Sequence, residues 1–279
     1  MLRRSMSREH EGSMGRTRQG PEDLLARYPK QRPPLTPAIQ AIYERQYQEN
    51  RSGKTPAASA AQRLESWMHR RVASDVAGGA VKPTLELGAG TLNQLPYEKW
   101  TAPYDIVEPF AALFEEVPER TRVRDVFADI SDVPAARRYA RITSIAALEH
   151  VCDLPLVLAR AAMLLEDGGS VRAAYPAEGG LLWTAGWMLT TGLEFRLRHG
   201  LDYGVLMRHE HVNTAAEIEA LVTALFGDVR IASFGLGRQL SLYRFLEAGR
   251  PDLALAKTWI DRFAPQPARR RKPVGSTSR

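Results

Sequence analysis

The stretch Thr84-Leu85-Glu86-Leu87-Gly88-Ala89-Gly90-Thr91-Leu92-Asn93 decides the fold. It reads as a buried strand running into a glycine turn. Pro83 precedes it, where a strand can begin without a ladder donor. Leu85 and Leu87 are apolar, as an inner strand of a parallel sheet requires. Gly88 and Gly90 admit positive φ and leave the backbone open to a ligand. Open α/β sheets bind nucleotides at such a turn. A dinucleotide fingerprint, Gly-x-Gly-x-x-Gly/Ala, is not met, because Asn93 stands at its third position. Glu86, two residues before Gly88, would repel a pyrophosphate and suit a cationic ligand.

Downstream, the chain alternates between strand and helix patterns. A helix is expected around 91–99, then a second strand in Tyr104-Asp105-Ile106-Val107-Glu108. Glu108 lies 20 residues beyond Gly88, the spacing at which a second strand delivers a carboxylate to ribose hydroxyls. A helix over 110–117 leads to a third strand, Val123–Ile130. Its end, Ala128-Asp129-Ile130, offers Asp129 to an exocyclic amine and Ile130 to the face of an adenine ring. A fourth strand, Arg141–Ala147, runs into Leu148-Glu149-His150-Val151. A helix over 153–165 is expected to end at Glu166-Asp167-Gly168-Gly169, glycines suited to left-handed φ. Val171–Tyr175 is a fifth strand. Residues 177–212 break the rhythm with Trp183, Trp187, Phe195, Tyr203, His199, His209 and His211, an insertion placed over the carboxyl edge of the sheet. Thr214-x-x-Glu217 reads as a capping box opening a helix. Strands over 228–234 and 239–246 are close enough for an antiparallel hairpin, and a helix over 252–263 follows.

Several of these stations agree in order and spacing with one family. Glu86-x-Gly88-x-Gly90, Glu108, Asp129, Ala147-Leu148-Glu149-His150-Val151 and Leu165-Glu166-Asp167-Gly168-Gly169 together resemble motifs I, II, III and post-III of the class I S-adenosylmethionine (SAM)-dependent methyltransferases. The Leu-Glu-His-Val and Leu-x-x-Gly-Gly pair is most similar to the small-molecule branch called type 11. The family commonly has Lys/Arg-Pro before the two glycines, where this chain has Glu166-Asp167. The resemblance covers about residues 80–246. It implies an α/β, Rossmann-like sheet of seven strands with strand 7 antiparallel. It also implies SAM as cofactor, held by Glu86, Gly88, Ala89, Gly90, Glu108, Asp129, Ile130 and Ala147, and methyl transfer to an O or N atom of a small molecule. Oxygen acceptors usually need a proton removed. His150, just past strand four, and His211 in the insertion are the candidate bases, with His209 beside the latter. A His209-x-His211 pair also suits a metal, but the sequence shows no further ligand set, and none is assigned.

Composition narrows the acceptor. The net charge of +6 is carried by the ends: residues 1–20 hold +3 and residues 264–279 hold +5, leaving −2 on the rest. A slightly acidic body disfavours a large nucleic-acid substrate. There is no Asp/Asn-Pro-Pro-Tyr and no Pro-Cys pair, the patterns of amine and cytosine-carbon methylation. Trp183 and its aromatic neighbours suit an apolar or sugar-like molecule, so Trp183, Tyr175 and His209 are expected acceptor contacts. Arg51, ahead of the first strand, could hold an anionic group. A sugar or a cell-envelope glycan precursor fits these features. The same fold could instead serve as a non-catalytic docking module that works through its basic ends.

Residues 1–35 and 264–279 are expected to be disordered basic tails, 36–79 a helical cap, and 80–263 the methyltransferase domain with its lid over 177–212. Ser52-Gly53-Lys54-Thr55 lacks the first glycine of a phosphate loop, since position 48 is Gln. No signal-peptide pattern and no membrane-length apolar run is present. The single cysteine, Cys152, excludes an internal disulfide and is compatible with a reducing, cytoplasmic setting. A homodimer is compatible with the apolar run at 179–193.

Overall fold

The computed structural model describes residues 21–43, 59–98 and 102–264. Seven strands, β1 (Thr84–Leu87), β2 (Tyr104–Val107), β3 (Val126–Phe127), β4 (Tyr139–Ile145), β5 (Leu165–Pro176), β6 (Phe226–Leu236) and β7 (Leu240–Pro251), form one sheet in the order β3-β2-β1-β4-β5-β7-β6. Strands β1 to β5 are parallel, while β7 runs antiparallel to β5 and to β6. Chain order reverses between β1 and β4, so a crevice opens at their carboxyl ends.

Helices cover both faces. We label them α1 (Pro21–Leu25), α2 (residues 37–43), α3 (Ser59–Val72), α4 (Leu154–Leu164), α5 (Leu181–Trp187), α6 (Leu193–His199), α7 (Tyr203–Glu210), α8 (Ala215–Leu225) and α9 (Leu253–Phe263). On one face α4, α8 and α9 pack Leu158, Leu221 and Trp259 against Ile142, Val171 and Leu246. On the other, Met68 and Val72 of α3 pack on Ile145, Ala174 and Phe245. The end of α3 is fastened from below. Arg172 donates to the Arg71 and Val72 carbonyls, at 3.0 and 2.9 Å, and Arg141 donates to Val72 at 3.2 Å. Guanidinium groups thereby meet the orphan carbonyls and negative end of the helix. Arg141 is itself buried and held in a bidentate pair by Glu98, at 2.5 and 3.1 Å.

Four local expectations differ from what forms. Residues 91–98 and 110–117 make only single 3-10 turns, Leu95–Tyr97 and Ala111–Leu113. In the first, Leu92 sits at φ +61 and Pro96 removes a donor. The second is eight residues bracketed by Pro109 and Pro118, too short to nucleate a helix. Strand β3 is two residues long, because Asp129 turns the chain by capping the next 3-10 turn. The glycines after α4 do not end it. Gly168, at φ +77, lies inside β5 where its register with β4 shifts, as a bulge does.

The expected disordered tail over 1–35 is corrected for residues 21–35. Leu24, Leu25 and Tyr28 are buried in the main core, and the Tyr28 hydroxyl donates to Asn213 at 2.8 Å. Lys30 reaches the Val212 carbonyl at 2.7 Å and Glu217 at 2.8 Å. Residues 1–20 and 265–279, and the Arg51–Lys54 loop, lie outside the described residues. Helices α5 to α7 fill the insertion between β5 and β6, with a π turn at Met188–Gly192. Among the described residues no helix is long and apolar enough to cross a membrane.

Candidate active site

The register Leu87↔Val107 sets Gly88 beside Glu108 across β1 and β2. The Gly88 amide donates to the Val107 carbonyl at 2.9 Å. Gly88 has φ +70, and a Cβ there would meet the Ala147 Cβ at 2.5 Å; Gly90 has φ +51 and open space where its Cβ would be. Gly88 is therefore demanded by packing, whereas Gly90 leaves a cradle a side chain would fill. Glu108 is 7% exposed. Its Oε2 accepts from the Gly90 amide at 2.9 Å and its Oε1 from the Phe110 amide at 3.0 Å. Each oxygen keeps a lone pair for a ligand. These residues line a cavity of about 770 Å³ with Leu87, Val107, Leu113, Asp129, Ile130 and Ala147, within the roughly 300–1,000 Å³ of small-molecule sites. The Asp129 carboxylate accepts from Ser131 at 2.7 Å through the amide.

A second cavity, of about 380 Å³, lies beyond the glycine turn. Glu65, Met68 and His69 of α3 face it, with Glu86, Ala89, Glu149, Trp183, His211 and Tyr243. The two cavities share Gly88, Gly90, Ala146 and His150. Ala146 sits at φ +50, a conformation that costs a non-glycine residue about 1–2 kcal/mol. It turns the chain sharply off β4 and so presents Glu149 and His150. Glu86 is 2% exposed and accepts from the Tyr104 hydroxyl at 2.8 Å. Burial pushes its carboxyl up to about 8 against the Tyr104 bond, with Glu98 adding to the rise.

The histidines divide between the cavities. His150 Nδ1 donates to the Glu210 carbonyl at 2.9 Å, and its Nε2 lies 3.7 Å from Glu149 Oε1. His211 Nδ1 donates to Glu178 Oε2 at 2.7 Å, an oxygen that also accepts from Trp183 Nε1 at 2.7 Å. The rings of His150 and His211 meet edge to face at 4.9 Å. Burial alone would lower the His211 pKa, but the Glu178 bond and the charges of Glu149, Glu178 and Glu210 outweigh it and raise it. Glu149 is pushed up by burial, against the pull of His150 and His211.

A family model described as a methyltransferase domain covers residues 47–224. The chain belongs to the methyltransferase family. It is a class I SAM-dependent methyltransferase, and S-adenosylmethionine is its cofactor. No protein of curated function matches it. Among solved structures it is similar to the N-methyltransferase NodS of Bradyrhizobium japonicum bound to S-adenosylhomocysteine, at 14% identity and TM-score 0.48, over 71% of this chain and 90% of that one. It is also similar to the CurJ carbon methyltransferase, at 19% identity and TM-score 0.46, over 65% of this chain. The matched part spans about half, 53%, of the CurJ chain.

In this methyltransferase the residues singled out from sequence fall into three groups. Gly88, Gly90, Glu108, Asp129, Ile130 and Ala147 line the larger cavity, together with His209. His209 donates through Nδ1 to the Pro33 carbonyl at 2.7 Å and meets Tyr43 edge-on. Glu86, Ala89, Trp183 and His211 line the smaller one, and His150 touches both. Tyr175 does not reach either cavity, which corrects its reading as an acceptor contact. Its side chain is fully buried on the face covered by α4, α8 and α9, and its hydroxyl donates to Glu219 at 3.3 Å. Strand alternation explains the error, since successive residues of β5 point to opposite faces. Arg51 lies outside the described residues. Of the insertion, Trp183, His209, Glu210 and His211 reach the cavities, whereas Trp187 packs on Tyr203 instead.

Arg32 was missed by sequence reasoning. It lines the larger cavity and donates to the carbonyls of His209, Glu210 and His150 at 2.8, 3.2 and 2.9 Å. One guanidinium thus ties the end of the insertion to the loop after β4. The signal was Leu24, Leu25 and Tyr28, an apolar cluster inside a segment read as tail. Glu178, which orients His211, and Glu65 of α3 were missed as well.

Proposed function

We propose that this methyltransferase moves the methyl group of SAM to an O or N atom of a small molecule held in the smaller cavity. One observation carries the reading: among the described residues, two cavities of unlike chemistry share only Gly88, Gly90, Ala146 and His150 in their linings. The larger presents mostly apolar surface, with Glu108, Asp129, Arg32 and His209 among its polar groups, and suits an adenosine. Glu108 would take the ribose hydroxyls, and Asp129 with Ile130 the adenine edge and face. The turn Gly88-Ala89-Gly90 and Glu86 would take the cationic amino-acid end, with Ala147 closing the neck. The charge of SAM suits Glu86, since an ammonium beside it would offset the burial that keeps that carboxyl protonated.

SAM supplies a sulfonium methyl that is already activated for displacement. What remains for the chain is to align a nucleophile, exclude water and dispose of its proton. The smaller cavity offers indole and phenol faces at Trp183 and Tyr243 among Glu65, His69, Glu149 and His211. Aromatic faces alternating with hydrogen-bonding groups favour a hydroxyl-rich, sugar-like acceptor. His150 and His211 stand where the acceptor's proton would leave.

Calorimetric titration with SAM and S-adenosylhomocysteine, with NADH as control, tests the cofactor half. Micromolar binding of both sulfur ligands and none of NADH is expected. An acceptor screen starting from sugars, read by release of S-adenosylhomocysteine, tests the rest. SAM binding without turnover on any hydroxylated or amino acceptor would favour the docking-module reading.

A further inference from the structure

We propose that Glu149, His150 and His211 form a binding site for a divalent first-row transition-metal cation, which receives an oxygen of the acceptor in the smaller cavity. One donor atom from each residue lies within 4.8 Å of the other two. They come from far apart in the chain. Glu149 and His150 sit on the 3-10 turn after β4, and His211 follows α7. The His209-x-His211 pair visible in the sequence is split by the fold, with His209 turned to the other cavity and His211 to this one.

Three features beyond proximity point to a cation. Both rings have Nδ1 committed outward, His150 to the Glu210 carbonyl and His211 to the Glu178 carboxylate. A ring that donates through Nδ1 carries a free lone pair on Nε2. Outer hydrogen bonds of this kind, to a carbonyl and to a carboxylate, are what orient metal-ligating imidazoles. Glu149 is 1% exposed, and its Oε2 has no hydrogen-bond partner among the described residues. A buried carboxylate oxygen left so is costly, and a cation would satisfy it. All three residues also line the cavity, so coordination positions beyond the protein's three face the space assigned to the acceptor.

The donor set selects the ion. Two imidazoles and one carboxylate suit Zn²⁺, Mn²⁺, Fe²⁺ or Co²⁺ and disfavour Ca²⁺, which takes oxygen shells. Ligands about 2.1 Å from one ion lie roughly 3 Å apart, so the three side chains must close in on binding. An acceptor hydroxyl on such a cation ionises far more readily than in water. Its proton leaves to solvent, its oxygen forms the bond to the methyl carbon, and the electron pair of the breaking carbon–sulfur bond goes to sulfur. This role in transfer rests on the function proposed above; occupancy of the site by a cation does not.

The test uses the full chain, stripped with a chelator and titrated calorimetrically with ZnCl₂ and MnCl₂, with and without SAM. One cation per chain is expected, with Glu149→Gln and His211→Ala each weakening it at least about tenfold. His209→Ala should leave it unchanged, and SAM affinity should stay within about threefold in Glu149→Gln. Absence of saturable cation binding by the wild type overturns the site, as does binding that survives both substitutions or is lost with His209→Ala. SAM binding is read on the same samples, so failure of the cation site and failure of the methyltransferase reading are told apart.

Discussion

The two cavities differ in how they are built. The larger is lined mainly by consecutive strand ends, from Leu87 through Val107 and Glu108 to Asp129 and Ile130. The smaller draws on α3, the glycine turn, the loop after β4, the insertion and β7, from Glu65 to Tyr243. The first presents mostly apolar surface around Glu108 and Asp129. The second concentrates ionisable groups, two of them, Glu86 and Glu149, almost wholly buried. Local strand order suffices to build the cavity proposed for the cofactor; the one proposed for the acceptor needs distant segments brought together. Substitutions on the two sides should therefore fail in different ways.

The largest effect expected is on stability, at Glu86. Its folded pKa of about 8 lies above the ordinary 4.5. Between those values the folded chain keeps a proton that the unfolded chain has released, so stability falls as pH rises through that window. A shift of this size is worth on the order of 3–5 kcal/mol, or roughly 10 °C in melting temperature for a chain this long. Glu86→Gln should melt well above the wild type at pH 9 and alike at pH 4.5. Equal melting at both pH values would mean that Glu86 is ionised in the ligand-free protein, and the electrostatic contrast between the cavities would be lost.

Next comes cofactor affinity. Glu108→Ala removes the carboxylate proposed to take the ribose hydroxyls, which also accepts from the Gly90 amide. Charged hydrogen bonds of this kind contribute about 1.5–3 kcal/mol, so SAM should bind roughly 100-fold more weakly by calorimetry. Trp183→Ala, in the other cavity, should change SAM affinity by less than about threefold. Comparable losses in both variants would break the division into cofactor and acceptor sides.

The glycines sharpen the same division. Gly88→Ala places a methyl group 2.5 Å from the Ala147 Cβ at a φ of +70, an overpacking that costs about 1–3 kcal/mol. Gly90→Ala meets no neighbour and bears only the backbone strain of about 1–2 kcal/mol. Thermal melting should fall further for Gly88→Ala. Gly90→Ala should instead show the larger loss of SAM binding relative to its loss of stability, because its methyl group projects into the cradle.

The larger cavity was legible in the sequence for a physical reason. Strand, turn, helix-length segment and strand consume a fixed number of residues, so the interval from Gly88 to Glu108 already implies adjacency. That interval held even though the intervening helix did not form, because a compact 3-10 turn spans the same gap. The smaller cavity was legible only in fragments. His150, His211 and Trp183 announce chemistry by their type, but no spacing places His211 against Glu149, more than sixty residues away. Tyr175 was misplaced because the face of a buried strand cannot be read from a run of apolar residues. Arg32 was hidden by its setting, since a cation in an arginine-rich leader resembles a solvated charge until Tyr28 and Lys30 are seen anchored to Asn213, Val212 and Glu217.

The smallest effect isolates how the smaller cavity is tuned. Burial works to lower the His211 pKa, and its bond to Glu178 and the surrounding carboxylates raise it on balance. Glu178 in turn is raised by burial and brought below the ordinary value by the His211 and Trp183 bonds. Glu178→Gln keeps an acceptor for both donors but removes the charge, so the His211 titration, followed by its ring-proton NMR signal, should move to lower pH. A raised folded pKa stabilises the wild type at pH values below the free histidine value, and that contribution is lost as pH rises through the folded pKa. Glu178→Gln should accordingly destabilise the protein more at pH 6 than at pH 8, while leaving SAM affinity near that of the wild type. A variant that instead lost SAM binding would show that Glu178 shapes the neck between the cavities, and that the two sides are one cooperative unit rather than two.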